Sequence, residues 1–361
     1  MQPHEPSPMP QPHDSATPHG RPVDSYAPSS GAGQPPVGHT ASAPAAAPRH
    51  GVPPGQLPPD RGPRGLAPWG MPARHSWEIP LLVIVVVLTA LAYVVALGLF
   101  VAAVLDGMTP GDYLLLLVFA PLLVWAGRGL NYATQRVSGV KMSPTQFPEG
   151  YRMVAEAAQR FGMRKVPDAY VVLGNGQINA FASGHGFRRF VVVYSDLFEV
   201  GGQAREPEAL AFIIGHEVGH IAAGHVSYWR QLGMFLVPFL PILGSSLSRS
   251  QEYTADNYGF CHRWTGAAAA MGTLAAGKYL NTLVGFDEMA DRAATEKGGF
   301  VWLVNALASH PVLTWRMSAL RDRSRHGKLF WRPAPRPGGF GVGTTPASYR
   351  EVPSLPPKPV A

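Results

Sequence analysis

The chain has 361 residues, a formal net charge of +7 and a single cysteine, Cys261. That length holds one large domain or two smaller ones, and a lone cysteine excludes an intramolecular disulfide framework. No nucleic-acid-binding motif accompanies the basic balance, so a nucleic-acid partner is not expected.

Residues 1–76 are rich in Pro, Gly, Ala, Ser and His and poor in large apolar side chains. Such a stretch cannot bury enough surface to offset the entropy of ordering it, and it is expected to be a disordered tail. Its histidines (His4, His13, His19, His39, His50 and His75) share no ligand spacing and read as solvated. The first 70 residues hold no apolar core of a signal peptide. The residues after 330 repeat the Pro- and Gly-rich character and read as a second disordered tail.

Residues 79–105 carry no charge at all. At 1.5 Å per residue about 20 such residues cross the hydrocarbon of a bilayer, so this run predicts a transmembrane helix with Trp77 at the interface. Residues 113–127 form a second apolar run containing Pro121, which reads as the return arm of a hairpin. Arg61, Arg64 and Arg74 precede the pair, and Arg128, Arg136 and Lys141 follow it. The connecting loop has Asp106 and Asp112 but no Lys or Arg. This charge bias predicts a multi-pass protein of the cell (inner) membrane with the bulk of the chain and both termini cytoplasmic.

From residue 131 to 330 the pattern is that of a globular domain. Glu149 to Arg160 has helical spacing. Residues 169–173 and 189–195, rich in β-branched and aromatic side chains, predict strands, with a short strand at 177–184 between them. Glu206-Pro207 opens a helix that runs on through EALAFIIGHEVGHIAAGH to residue 225. Further helices are expected around 251–262, 265–283 and 312–325. Asp287, Glu288, Asp291 and Glu296 read as an exposed charged stretch.

Within the long helix, His216 and His220 are four residues apart and therefore share one face. Two imidazoles so placed can ligate one zinc ion, and Glu217 beside them can take a proton from a zinc-activated water. The spacing excludes a metzincin, which would need a histidine at the position of Val226; His225 reads as structural. The best third ligand is Glu252, and Asp256, one turn later on the same face, is placed to orient a ligand histidine. Residues 231–248 are apolar and lie between the ligands. Since His220 and Glu252 must meet at one metal, this run cannot cross a membrane once. Eighteen residues with Pro238 and Pro241 inside are too few to cross twice, so a re-entrant, interfacial or lid-like hairpin is expected.

HEVGHIAAGH followed by EYTAD, NAFASG (179–184) before the helix and SHPVLTWRMSALR (309–321) after it resemble the integral-membrane gluzincin metallopeptidases of the HtpX and CAAX prenyl protease type. The resemblance covers roughly residues 145–325 and the preceding hairpin. It implies one Zn2+ per chain held by His216, His220 and Glu252, with Glu217 as general base and acid. It also implies Asn179 on a substrate-binding edge strand, His310 at the oxyanion and Arg316 as a positioning residue. Asp196, where a glycine is common, and Ser183, where threonine is frequent, depart from the pattern.

The expected fold is mainly α with a small β-sheet, an α+β zincin-like domain attached to a transmembrane hairpin at 77–130. The expected function is a membrane-bound zinc endopeptidase acting on membrane-associated or misfolded proteins in quality control. The competing reading is a non-catalytic membrane adaptor with a structural zinc site and a Pro-rich tail that binds partners.

Overall fold

The computed structural model describes residues 72–201, 206–323 and 325–335. Most of both Pro-rich tails lies outside the described residues. His75 does not, and it corrects the reading of a solvated tail. It is buried, its ring stacks on Tyr253, and its Nε2 lies 2.8 Å from the Gly327 carbonyl. The chain is therefore ordered just ahead of its first helix because a neighbouring helix supplies partners for it.

Two long apolar helices come first, α1 (Glu78–Leu105) and α2 (Asp112–Ser138). Both are long and apolar enough to cross a membrane by length and composition, and most of their side chains are exposed. A short strand β1 (Val140–Lys141), missed in the sequence, leads to helix α3 (Pro148–Arg160). Strands β2 (Asp168–Val172), β3 (Ala180–His185) and β4 (Arg188–Tyr194) complete a four-stranded sheet of order β1-β2-β4-β3. β2 and β4 are parallel, and β3 pairs antiparallel to β4 with Ala182 opposite Val191. The run FVVVY is apolar throughout because β4 is buried on both faces. Val191 and Val193 face the main core, whereas Phe190 and Val192 face Tyr132 of α2. The last turns of α2 therefore pack on the sheet. β3 is left as an edge strand.

A short helix α4 (Ser195–Gly201) precedes the central helix α5 (Pro207–Ala222). α5 begins with Pro at its first turn, where the missing N–H costs nothing. It ends three residues earlier than expected from the sequence, because Gly224 adopts φ +79° and turns the chain. His225 thus lies beyond the helix. Helix α6 (Tyr228–Gly233), a 3-10 turn at Val237–Phe239 and helix α7 (Pro241–Arg263) follow.

The apolar run 231–248 comprises the end of α6, the 3-10 turn and the first turns of α7, and α7 starts ten residues before the expected 251. Met234, Val237, Leu240, Leu243 and Leu247 of this run pack on Leu81 and Val85 of α1.

α5 and α7 form the closest pair of helices. A Cβ on Gly219 would stand 2.4 Å from the Cβ of Tyr258, so only glycine permits this approach. The remaining helices are α8 (Ala267–Leu280), α9 (Phe286–Thr295), α10 (Gly299–Leu307) and α11 (Leu313–Arg321). Asp287, Glu288, Asp291 and Glu296 lie on α9 and on its last-turn boundary, with Glu288, Asp291 and Glu296 exposed as expected. Phe286, Ala290 and Ala293 of the same helix are buried, while Asp291 pairs with Arg321 of α11 at 2.7 Å. The fold is thus mostly helical with one small sheet, and two apolar helices precede the rest of the fold.

Candidate metal centre and substrate cleft

α5 is apolar on nearly every side, with Phe212, Ile214 and Val218 fully buried. Apart from Glu208 in its first turn, its polar residues are His216, Glu217 and His220. His216 and His220 stand one above the other, and Glu252 reaches them from α7. The His216 Nε2 and His220 Nε2 atoms are 3.1 Å apart. Glu252 brings one oxygen to 3.4 Å from His216 Nε2 and the other to 3.5 Å from His220 Nε2. Ligand bonds of about 2.0–2.1 Å in a tetrahedral site separate the donor atoms by roughly 3.3 Å. The observed spacings are close to that size, so these three side chains could hold a single divalent ion.

Each histidine is held from behind. Asp256 lies one turn beyond Glu252 on α7, and its Oδ1 is 2.9 Å from His216 Nδ1. Arg316 of α11 donates to both oxygens of Asp256, at 3.0 and 2.6 Å. Burial disfavours the Asp256 carboxylate, but Arg316 and His216 outweigh it and hold it at about 2. On the other side His225 Nδ1 lies 2.8 Å from His220 Nδ1. Its Nε2 lies 3.2 Å from Oε1 of the fully buried Glu78. Burial keeps His220 well below the ordinary histidine range. Against the same penalty, Asp256 and Glu252 raise His216 to about 10, a proton that an incoming metal would displace.

Glu217 lies beside this triangle, 8 % exposed, and burial pushes its carboxyl up to about 7 despite the neighbouring His216. The backbone of Ala182 on β3 opposes that rise. The cleft in front is lined by Asn179, Ala180, Phe212, Ile213, Met271 and Leu274 together with the polar cluster. The edge of β3 from Ala180 to Ala182 borders it.

Asn179 sits at the head of this strand, its carbonyl accepting from the Tyr194 amide at 3.0 Å. His310 is largely exposed, and its Nε2 comes within 3.5 Å of Glu252. Arg316 touches the cleft but spends its guanidinium on Asp256. The two departures from the family pattern lie elsewhere. Asp196 is buried against Lys278 at 2.6 Å, and Ser183 lies on β3 at a half-buried position.

The sequence reading therefore named residues that the fold gathers at one place: His216, Glu217, His220, Glu252, Asp256, Asn179, His310 and Arg316. It missed Glu78 and Arg230. The uncharged apolar run begins at Ile79, one residue past the buried carboxylate. The one available signal was the Arg74–Glu78 spacing, which forms an ion pair at 2.7 Å. A carboxylate and an imidazole 147 positions apart leave no periodic trace.

A helix presenting two histidines and a glutamate to a third ligand, beside an open edge strand, is the arrangement of a metal-dependent hydrolase of peptides. The model of peptidase family M48 matches residues 144–244 and 228–324, half of the chain. The chain belongs to this family and is a metallopeptidase acting on protein or peptide substrates. No curated protein and no solved structure matches it.

Proposed function

We propose that the protein is a membrane-anchored zinc endopeptidase of the HtpX-like gluzincin type, with His216, His220 and Glu252 as ligands of one Zn2+. The observation that carries this reading is the ligand triangle with Glu217 beside it and an unpaired strand edge in front. Zinc held there would lower the pKa of a bound water and polarise the scissile carbonyl.

The chain's own residues supply the rest. Glu217 takes the proton of the attacking water and returns it to the leaving amine nitrogen. A carboxyl raised to about 7 by burial is suited to both transfers at neutral pH. An extended substrate adds to the edge of β3, where Asn179 sits at the entrance. His310 donates to the developing oxyanion. Asp256, fixed by Arg316, accepts the Nδ1–H of His216 and so leaves its Nε2 lone pair for the metal.

The membrane reading rests on α1 and α2. Their exposed side chains include Val83, Leu91, Val94, Leu97, Leu116 and Leu122, a surface suited to lipid rather than water. The charge bias of the flanks puts the catalytic residues on the cytoplasmic side. Trp229 on α6 and Phe239 in the following 3-10 turn are exposed, which suits an interfacial position. Substrates are then membrane-associated or misfolded proteins, and the role is membrane-protein quality control.

The test is metal analysis of the detergent-purified chain together with casein cleavage with and without chelator. Zinc at one equivalent and chelator-sensitive cleavage support the reading. Cleavage that survives in Glu217→Gln, or a purified chain without zinc, defeats it. An adaptor with a structural zinc would retain the metal and show no cleavage in the parent.

A further inference from the structure

Glu78 is the first residue of α1, a helix that lies outside the segments matched by the family model. It is fully buried, which is unusual for a carboxylate unless it is paired. Arg74 donates to it at 2.7 Å and Arg230 at 2.6 Å, and Thr254 donates to its second oxygen. These contacts keep the carboxylate from turning away. His225 fills the remaining approach and links it to His220. We infer that Glu78 is a positioning residue of the metal centre, acting through His225 to set the tautomer and the aim of His220.

Donors and acceptors must match along this chain of groups. An ionised carboxylate only accepts hydrogen bonds. His225 must therefore carry its proton on Nε2 to donate to Glu78, which leaves its Nδ1 as an acceptor. His220 must then carry its proton on Nδ1, and its Nε2 is left with a free lone pair at the corner where His216 and Glu252 converge. With the opposite tautomer of His225, acceptor would face acceptor at Glu78. The Nδ1–H of His225 would then force the His220 proton onto the nitrogen that must hold the metal.

His216 is set the same way by Asp256, with one link fewer. The segment between α5 and α6 is fixed on the same helices. Arg74 binds the Ala223 carbonyl, Arg128 of α2 binds the Val226 carbonyl, and Tyr228 donates to the Pro121 carbonyl of α2. The apolar hairpin thus completes the metal centre as well as anchoring it.

This inference rests on the metallopeptidase reading of His220, and the experiment separates the two. Zinc affinity of the full-length detergent-purified chain is measured by chelator competition, beside thermal unfolding of the metal-free form. Glu78→Gln and His225→Leu should each weaken zinc about 10–100-fold, the range for loss of a partner behind a ligand. His225→Gln, whose amide can accept from His220 and donate to Glu78, should recover most of the affinity. The double variant Glu78→Gln/His225→Leu should bind no more weakly than His225→Leu alone, because the carboxylate acts only through the imidazole.

Parental zinc affinity in a destabilised Glu78→Gln, or two losses that add, would make Glu78 a structural anchor and overturn the inference. Should His225→Leu fail to fold, Glu78→Gln and His225→Gln decide between these outcomes. A parent that binds no zinc overturns the metal assignment itself and the relay with it.

Discussion

The two flanks of the metal triangle solve one problem in different ways. On the α7–α11 flank, Asp256 meets His216 directly and is locked by a bidentate Arg316. On the α1–α6 flank, Glu78 meets His220 through His225 and is locked by Arg230, Arg74 and Thr254. The first flank is made from one helix turn and one neighbouring helix within the matched family region. The second needs a helix from outside that region. The contrast teaches that each of the two histidines meets a hydrogen-bonding partner behind it, and that the fold delivers that partner from whichever element reaches the site.

The comparison can be broken or sharpened by substitution. The largest effect is expected at the residue the two flanks serve in common. Glu217→Gln should lower peptide hydrolysis by about 10²–10⁴-fold, the usual contribution of a general base, while metal content measured on the same sample stays near the parent's. On the direct flank, Asp256→Ala leaves the buried Arg316 charge without its partner. It should cost roughly 3–5 kcal/mol of stability and also weaken metal binding, read by thermal unfolding and by metal analysis after dialysis. If Asp256→Ala leaves metal affinity untouched, the two flanks are not equivalent supports.

A smaller loss is expected where the helices carrying these groups touch. Gly219→Ala forces α5 away from Tyr258 and should cost about 1–3 kcal/mol, visible as a lower unfolding temperature. A parental unfolding temperature would show that the helix pair can relax.

The smallest effect concerns pH. His262 on α7 is buried, its Nε2 has no hydrogen-bond partner among the described residues, and burial lowers it to about 3. Its folded value lies below its unfolded one, so between about 6.5 and 3 the unfolded chain binds the extra proton. Stability from this group is therefore complete above about pH 6.5 and is lost as pH falls, by up to roughly 1.4 kcal/mol per pH unit. In chelator, His262→Phe should show a shallower drop in unfolding temperature between pH 7 and pH 5 than the parent. An equal slope would assign the acid sensitivity to the charged flanks instead.

Legibility in the sequence followed the range of the contact. His216, Glu217 and His220 were readable because four residues make one helical turn. Asp256 was readable from Glu252 for the same reason. Strands β2 and β4 were readable from β-branched runs, whereas the two-residue β1 was too short to leave a pattern. The acids of α9 were legible as an exposed charged stretch, but its buried face of Phe286, Ala290 and Ala293 was not, because alanines between acidic residues give a weak apolar signal. α10 was not expected at all, since a nine-residue apolar segment that stays exposed has no amphipathic period to detect. His75 was taken for a tail residue because nothing local distinguishes it from the histidines upstream.

By itself, the sequence pointed to His216 and His220 as a ligand pair, Glu217 as base and Glu252 as the best third ligand, and it held two apolar runs long enough to span a bilayer. Each follows from local periodicity or length, which are properties of the chain before it folds. Only the tertiary structure decided that the apolar run after α5 packs on α1, and that Arg316 serves Asp256. It alone showed that the first helix delivers a buried carboxylate behind His220. These depend on which distant surfaces meet, and burial of a charge is settled only when its partners arrive together.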